Sequence, residues 1–232
     1  MAGTKSKKRG AFAKLYLASY NLAQTVGWSY ILCQIMQYYT KPSVGETLWG
    51  KTEFLLMIFQ NAAVLEIVHA AMGLVPSNVA ITTFQVFSRV MVVVGVILAT
   101  PPTYAAASVG LPLALLAWSV TEIIRYFYYF VNLIGLVPHM LTWLRYSTFI
   151  ILYPIGITGE LLCFYAATKY ASANPDSWSY ALPNAWNFTF SYLYLLVGIM
   201  LLYIPLFPLL YSHMLAQRRK MLSPSSATKK SR

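Results

Sequence analysis

Acidic residues are scarce: Asp and Glu together number 6 in 232 residues, and all charged residues make up 10% of the chain. A soluble domain carries about 25% charged residues, so an ordinary soluble enzyme is excluded at the outset. Cysteine is equally sparse. Cys33 and Cys163 both fall inside apolar runs, which excludes a disulfide framework and a cysteine-based metal site. No internal repeat is visible, and no stretch between the apolar runs is long enough for a separate soluble domain. A cleavable signal peptide is also not expected, because the first apolar run, Leu15 to Met36, is too long for one and ends without a small-residue cleavage site.

What is present is hydrocarbon. Hydrophobic residues make up 58% and aromatic residues 16%, with a mean hydropathy of +0.58. Six runs, each near the ~20 residues that cross a bilayer as helix, read as spans: Leu15 to Met36, Phe54 to Leu74, Val79 to Ala99, Leu111 to Ile134, Trp143 to Ala167 and Phe188 to Tyr211. The expected fold is therefore all-α, an integral membrane bundle of six transmembrane helices. Its expected parts are a basic tail over 1–14, the membrane domain over 15–211 and a second basic tail over 212–232.

The net charge of +11 does not call for nucleic acid. Eleven of the 17 basic residues sit in the two tails: Lys5, Lys7, Lys8, Arg9 and Lys14, then Arg218, Arg219, Lys220, Lys229, Lys230 and Arg232. Basic ends flanking apolar helices mark the cytoplasmic face, where anionic lipid retains them. Six spans put both tails on that face. The opposite loops hold only Lys41, Lys51 and Lys169.

An ionisable group at membrane depth costs several kcal/mol unless it has a partner or a purpose, and four spans carry such groups in stripes. Glu66, His69 and Gly73 share one helical face, as do Thr82, Gln85 and Arg89, and Trp118, Glu122, Arg125 and Tyr129. Tyr146, Tyr153 and Glu160 follow at intervals of seven. The economical arrangement points all four stripes inward around a polar cavity. Glu122 and Arg125 can neutralise each other, and Glu66 can pair with Arg89, so these four residues are open to a structural or a functional reading. Glu160 has no basic residue within one turn of its own helix, which makes it a functional candidate.

His69, Gly73 and Pro76 have the outline of a tyrosine phosphatase loop, but Ala70 stands at the nucleophile position and Pro76 at the phosphate-gripping Arg position. With neither thiolate nor guanidinium, phosphatase chemistry is excluded.

Three stretches carry a family resemblance. They are Leu65-Glu66-Ile67-Val68-His69 through Pro76-Ser77, Trp118-Ser119-Val120-Thr121-Glu122-Ile123-Ile124-Arg125-Tyr126, and Trp143-Leu144-Arg145-Tyr146-Ser147 through Tyr153-Pro154-Ile155-Gly156-Ile157-Thr158-Gly159-Glu160. The chain resembles the very-long-chain (3R)-3-hydroxyacyl-CoA dehydratases, first called protein tyrosine phosphatase-like with proline in place of the catalytic arginine, as Pro76 is here. The resemblance implies an endoplasmic reticulum membrane enzyme of fatty-acid elongation, acting on acyl-CoA amid membrane lipid without metal or cofactor. It further implies a condensing enzyme, a ketoacyl-CoA reductase and an enoyl-CoA reductase as partners, and a catalytic pair that maps onto Tyr153 and Glu160.

Elimination of water from a 3-hydroxyacyl thioester needs a base for the α-proton and an acid for the hydroxyl. Tyr153 and Glu160 can fill these roles in either order, with Glu160 as base the favoured one. On the expected topology, Arg145 lies at the cytoplasmic mouth, with Arg125 and His69 nearer that face than the far one, as candidates to hold CoA phosphates; Tyr146 and Arg89 are further substrate-binding candidates. A transporter with a buried polar pathway is the rival reading, although no inverted repeat supports it. A non-catalytic scaffold is a third. Lys229-Lys230-Ser231-Arg232 fits a dilysine retrieval signal on a cytoplasmic tail.

Overall fold

The structure is a computed structural model and describes residues 10–223. Its elements are helices: α1 Ala11–Thr40, α2 Leu48–Ala62, α3 Leu65–Ala71, α4 Val79–Val90 with a π-helical continuation Met91–Leu98, α5 Gly110–Ile134, α6 His139–Ser147, α7 Phe149–Ala173 and α8 Tyr192–Leu222. Among the described residues there is no strand, only an isolated antiparallel bridge between Tyr180 and Phe190. The all-α expectation agrees with this.

Four helical stretches are long and apolar enough to cross a membrane: Leu48–Ala71, Val79–Leu98, His139–Ala173 and Tyr192–Leu222. The long helices outside that group are α1 and α5, which carry more polar residues, among them Asn21, Gln24, Glu122 and Arg125. Their position explains how. Helix α5 packs along α1 on one side and α7 on the other, so its polar stripe meets protein rather than lipid. By contrast α8, with 31 residues, buries only Tyr192 and Leu196.

Several boundaries differ from the hydropathy reading, each for a local reason. The second span begins at Leu48, where the Thr47 side chain accepts a hydrogen bond from Gly50 N, and it breaks between α2 and α3. Tyr20 and Gln24 of α1 donate to the carbonyls of Ala62 and Phe59, each at 3.2 Å, and so satisfy acceptors that the break frees. The π-helical end of the third span has a similar cause. Gly95 carries no side chain, and its carbonyl accepts from the Tyr192 hydroxyl at 2.6 Å. Helix α8 runs on to Leu222, so residues 212–222 of the expected tail are helical, as are residues 11–14 of the first tail. Lys5, Lys7, Lys8, Arg9 and the Lys229-Lys230 signal lie outside the described residues.

The phosphatase-like loop is a helix ending. Gly73 adopts φ +68, Leu74 N donates to His69 O at 2.9 Å and Gly73 N to Ala70 O at 3.1 Å. These two bonds form a Schellman cap, which needs a left-handed residue at the position of Gly73. The segment therefore satisfies the carbonyls of α3 instead of presenting amides to a phosphate.

Candidate active site

Helix α5 is the organising element. Its stripe Trp118, Glu122, Arg125 and Tyr129 advances by four, three and four residues and so stays on one face. Each member meets a different helix. Tyr129 OH accepts from Arg145 of α6 at 3.2 Å, Arg125 reaches Glu66 of α3, Glu122 receives Arg89 of α4, and Trp118 reaches Glu160 of α7.

The middle of the stripe is a buried ion cluster. Arg125 donates to both Glu66 oxygens, at 2.9 and 2.7 Å, and from Nε to Glu122 at 2.8 Å. Arg89 pairs with the other Glu122 oxygen, and the Tyr126 hydroxyl donates to Glu66. Two arginines and two glutamates thus compensate one another, with Glu122 1% exposed. The expected pairing of Glu66 with Arg89 is corrected: tertiary packing gives Glu66 to Arg125 and Arg89 to Glu122. The Glu122–Arg125 pair does form, at 2.6 Å. The expected central polar cavity is corrected too, since these side chains fill the space with one another. His69 is buried beside the cluster, within 2.9 Å of the Tyr16 hydroxyl and edge-on to the ring of Tyr20.

Glu160 stands apart from that cluster. It is 7% exposed, and each carboxylate oxygen accepts one bond from an uncharged donor. Trp118 Nε1 donates to Oε1 at 2.8 Å and the Tyr203 hydroxyl to Oε2 at 2.7 Å. Gly159 makes this geometry possible. A Cβ there would lie 2.5 Å from Ala114 N and 2.7 Å from Gly110 O, and one on Gly110 would lie 2.3 Å from Gly159 O. Helices α5 and α7 therefore touch backbone to backbone, which brings Glu160 under the Trp118 indole.

Tyr153, two turns earlier on α7, is half-buried and faces α8. Its ring stacks on Phe207 at 5.4 Å between centroids and on Tyr211 at 6.2 Å. Its hydroxyl makes no hydrogen bond to any described residue. Pro154 supplies no N–H to the carbonyl of Ile150, and the Tyr211 hydroxyl lies 3.5 Å from that oxygen. Beside this pair a largely apolar cavity of about 320 Å³ opens between α7 and α8, lined among others by Pro154, Ile157 and Leu161 and by Met200, Tyr203 and Phe207.

The sequence-derived residues are thus brought into two groups. Arg89, Arg125 and His69 belong to the ion cluster and its edge; Tyr153 and Glu160 belong to the α7–α8 face. Arg145 and Tyr146 lie at the α6 end, where the Arg145 guanidinium sits 5.6 Å from the Tyr129 ring and 5.7 Å from the Tyr146 ring. Tyr146 contacts the Tyr128 ring of α5 and lines a smaller cavity with Gln217 and Lys220. Sequence reasoning missed Tyr203, Phe207 and Tyr211. Their spacing of four on α8 was the available signal, a single aromatic stripe facing α7.

Comparison with known proteins decides the family. The model of the protein tyrosine phosphatase-like family, PTPLA, matches residues 60–224. The chain belongs to the PTPLA family. Relatives agree along nearly the whole length. The chain is 43% identical over 226 residues to mouse very-long-chain (3R)-3-hydroxyacyl-CoA dehydratase 2, covering 97% of this chain and 88% of that protein. It is 42% identical over 215 residues to the Caenorhabditis elegans dehydratase hpo-8, covering 92% and 97%. It is 37% identical over 232 residues to the rice dehydratase PASTICCINO 2A, covering 98% and 100%. No solved structure matches. The PTPLA match spans both site groups, from Glu66 through Tyr211.

Proposed function

We infer that this chain is a hydro-lyase that converts very-long-chain (3R)-3-hydroxyacyl-CoA to trans-2-enoyl-CoA in fatty-acid elongation. The observation that carries the reading is the placement of Glu160 between two neutral donors, one of which lines an apolar cavity, on the same helix as a free phenol, in a chain whose relatives bear that name. A carboxyl that accepts at both oxygens is arranged as a carboxylate, with lone pairs left for a further proton. Glu160 therefore takes the proton from C2. The C–H electron pair becomes the C2=C3 double bond, the C3–O bond breaks, and Tyr153 gives its proton to the departing hydroxyl, which leaves as water. Proton return from Glu160 to Tyr153 through solvent completes the cycle.

We assign the CoA end to Arg145. Its partners are a neutral hydroxyl and two rings, its Nε is buried without a hydrogen bond, and Lys220 stands at the adjoining cavity. These cations suit phosphate oxygens, while Arg89, Arg125 and His69 stay with the cluster. Six crossings then put residue 10, the 72–78 and 135–138 turns and the end of α8 on one face, which we assign to the cytoplasm. With relatives named as very-long-chain (3R)-3-hydroxyacyl-CoA dehydratases, the reading extends to residence in the endoplasmic reticulum with a condensing enzyme, a ketoacyl-CoA reductase and an enoyl-CoA reductase as neighbours.

Purified protein incubated with 3-hydroxyacyl-CoA is expected to yield the conjugated enoyl thioester. Tyr153→Phe and Glu160→Gln should each lower the rate by ~10²–10⁴ while the protein stays in the membrane, as loss of a general acid or base does. Near-normal dehydration by either variant sinks the assignment. Lys229→Ser with Lys230→Ser should move the protein out of the endoplasmic reticulum under fluorescence microscopy, because such a signal is an address read by a receptor; unchanged location removes that idea.

A further inference from the structure

The cavity between α7 and α8 has a role that proton transfer alone does not require. Tyr203 lines it while donating to Glu160, and Phe207 lines it while stacking on Tyr153, so one wall residue touches each of the reacting groups. Its other walls are Ile157, Leu161, Met200 and Ile204, all hydrocarbon or thioether. The Thr158 hydroxyl at its edge donates to Pro154 O at 2.9 Å and offers little to a ligand. The space accepts an apolar chain.

Its length and open side say more. From Pro154 to Leu161 the α7 wall advances roughly 10 Å at 1.5 Å per residue. One lipid tail fills about half of a ~30 Å hydrocarbon core, so a very long acyl chain is longer than this wall. Ile204, on the opposite wall, is 69% exposed, and the outer face of α8 is bare. The cleft is open to the side.

Resting on the dehydratase reading, we propose that the α7–α8 cleft receives the acyl chain beyond the reacting carbons and releases its tail sideways past Leu161 and Met200 into the surrounding lipid. The first methylenes are held by Ile157, Tyr203 and Ile204; the remainder lies in the bilayer. Such a site has no floor, so it sets no upper limit on chain length. The occupant is the hydrocarbon of the substrate, since the same walls carry both groups that flank Glu160 and Tyr153.

The test uses the full chain in membranes and a 3-hydroxyacyl-CoA that carries a diazirine on one of the first methylenes beyond C3. Irradiation should label residues 157–161 of α7 and 200–204 of α8, and labelling concentrated on α1 or α5 overturns the proposal. Leu161→Trp and Met200→Trp, from opposite walls, should lower the ratio of kcat/KM for a long chain over a short one by about tenfold or more, the scale on which apolar pockets discriminate chain increments. Leu202→Trp, on a helix position 55% exposed and outside the cleft, should keep the wild-type ratio. An unchanged ratio in both cleft variants overturns the proposal. Failure of wild-type protein to dehydrate any chain length would count against the dehydratase reading instead, and the labelling pattern would still decide where the chain binds.

Discussion

Each oxygen of Glu160 has one donor, and the two donors come from different helices. Loss of the Tyr203 hydroxyl by Tyr203→Phe, or of the Trp118 N–H by Trp118→Phe, leaves one oxygen without a donor and frees the side chain to turn. A neutral hydrogen bond contributes about 0.5–1.5 kcal/mol net, and one to a charged group about 1.5–3, which corresponds to roughly tenfold to a hundredfold in rate. We expect kcat to fall by that amount with KM little changed, in steady-state assays on 3-hydroxyacyl-CoA. Tyr146→Phe, whose hydroxyl is remote from Glu160, should lose much less. Equal losses in all three would mean a general packing defect. Trp118 was legible beforehand because it shares a helical face with Glu122 and Arg125. Tyr203 was not, because a tyrosine within an apolar span carries no charge to demand a partner. The exchange of partners among Glu66, Arg89 and Arg125 was likewise invisible, since spacing fixes which face a residue occupies and not which helix comes to meet it.

At the scale of elements, small residues decide how α5 and α7 meet. Gly110, Ala114 and Ala117 on α5 face Gly159 and Gly156 on α7, and the contacts tighten from 3.4 Å for a Cβ at Gly156 to 2.5 Å for one at Gly159. Gly159→Ala puts its methyl group into the backbone of Ala114, which has no rotamer by which to yield. The helices must separate, and Glu160 moves with α7. The expected result is loss of dehydration together with a lower melting temperature in detergent. Gly156→Ala, in ordinary contact with the Ala117 methyl group, should be mild. Gly198→Ala on α8, with nothing within 4 Å, should be neutral or slightly stabilising, since alanine is the better helix former by up to ~1 kcal/mol. If Gly159→Ala behaved as Gly198→Ala does, the close approach would not matter. That the chain is helical, with four stretches apolar enough to cross a membrane, could be read from hydropathy, because long apolar runs are the strongest signal a sequence gives. The α2–α3 break and the π-helical end could not, because donors on other helices, Tyr20, Gln24 and Tyr192, satisfy the carbonyls involved.

For the whole molecule, the ion cluster ties α3, α4 and α5 together at one level while α1 and α7 close over its sides. Its charges sum to zero, with Glu66 and Glu122 against Arg89 and Arg125, so the bundle holds four ionised groups without a net charge at depth. Removal of one member upsets that sum. Glu122→Gln leaves Arg89 and Arg125 facing a single remaining carboxylate, and breaking a buried pair costs about 3–5 kcal/mol because one charge is left uncompensated. Addition of Arg89→Gln to Glu122→Gln restores neutrality, with Arg125 still paired to Glu66. The double variant should therefore be more stable than Glu122→Gln alone, an interaction well above the ~0.3–0.5 kcal/mol within which independent sites add. Thermal unfolding of the wild type, both single variants and the double variant in one detergent measures this cycle. A double variant that melts below both singles would show that Arg89 supports the bundle by some route other than the Glu122 charge. Recovery of dehydration along with stability would assign the cluster to holding the helices and leave the chemistry to the proposed α7–α8 site, whereas recovery of stability alone would give the cluster a part in dehydration.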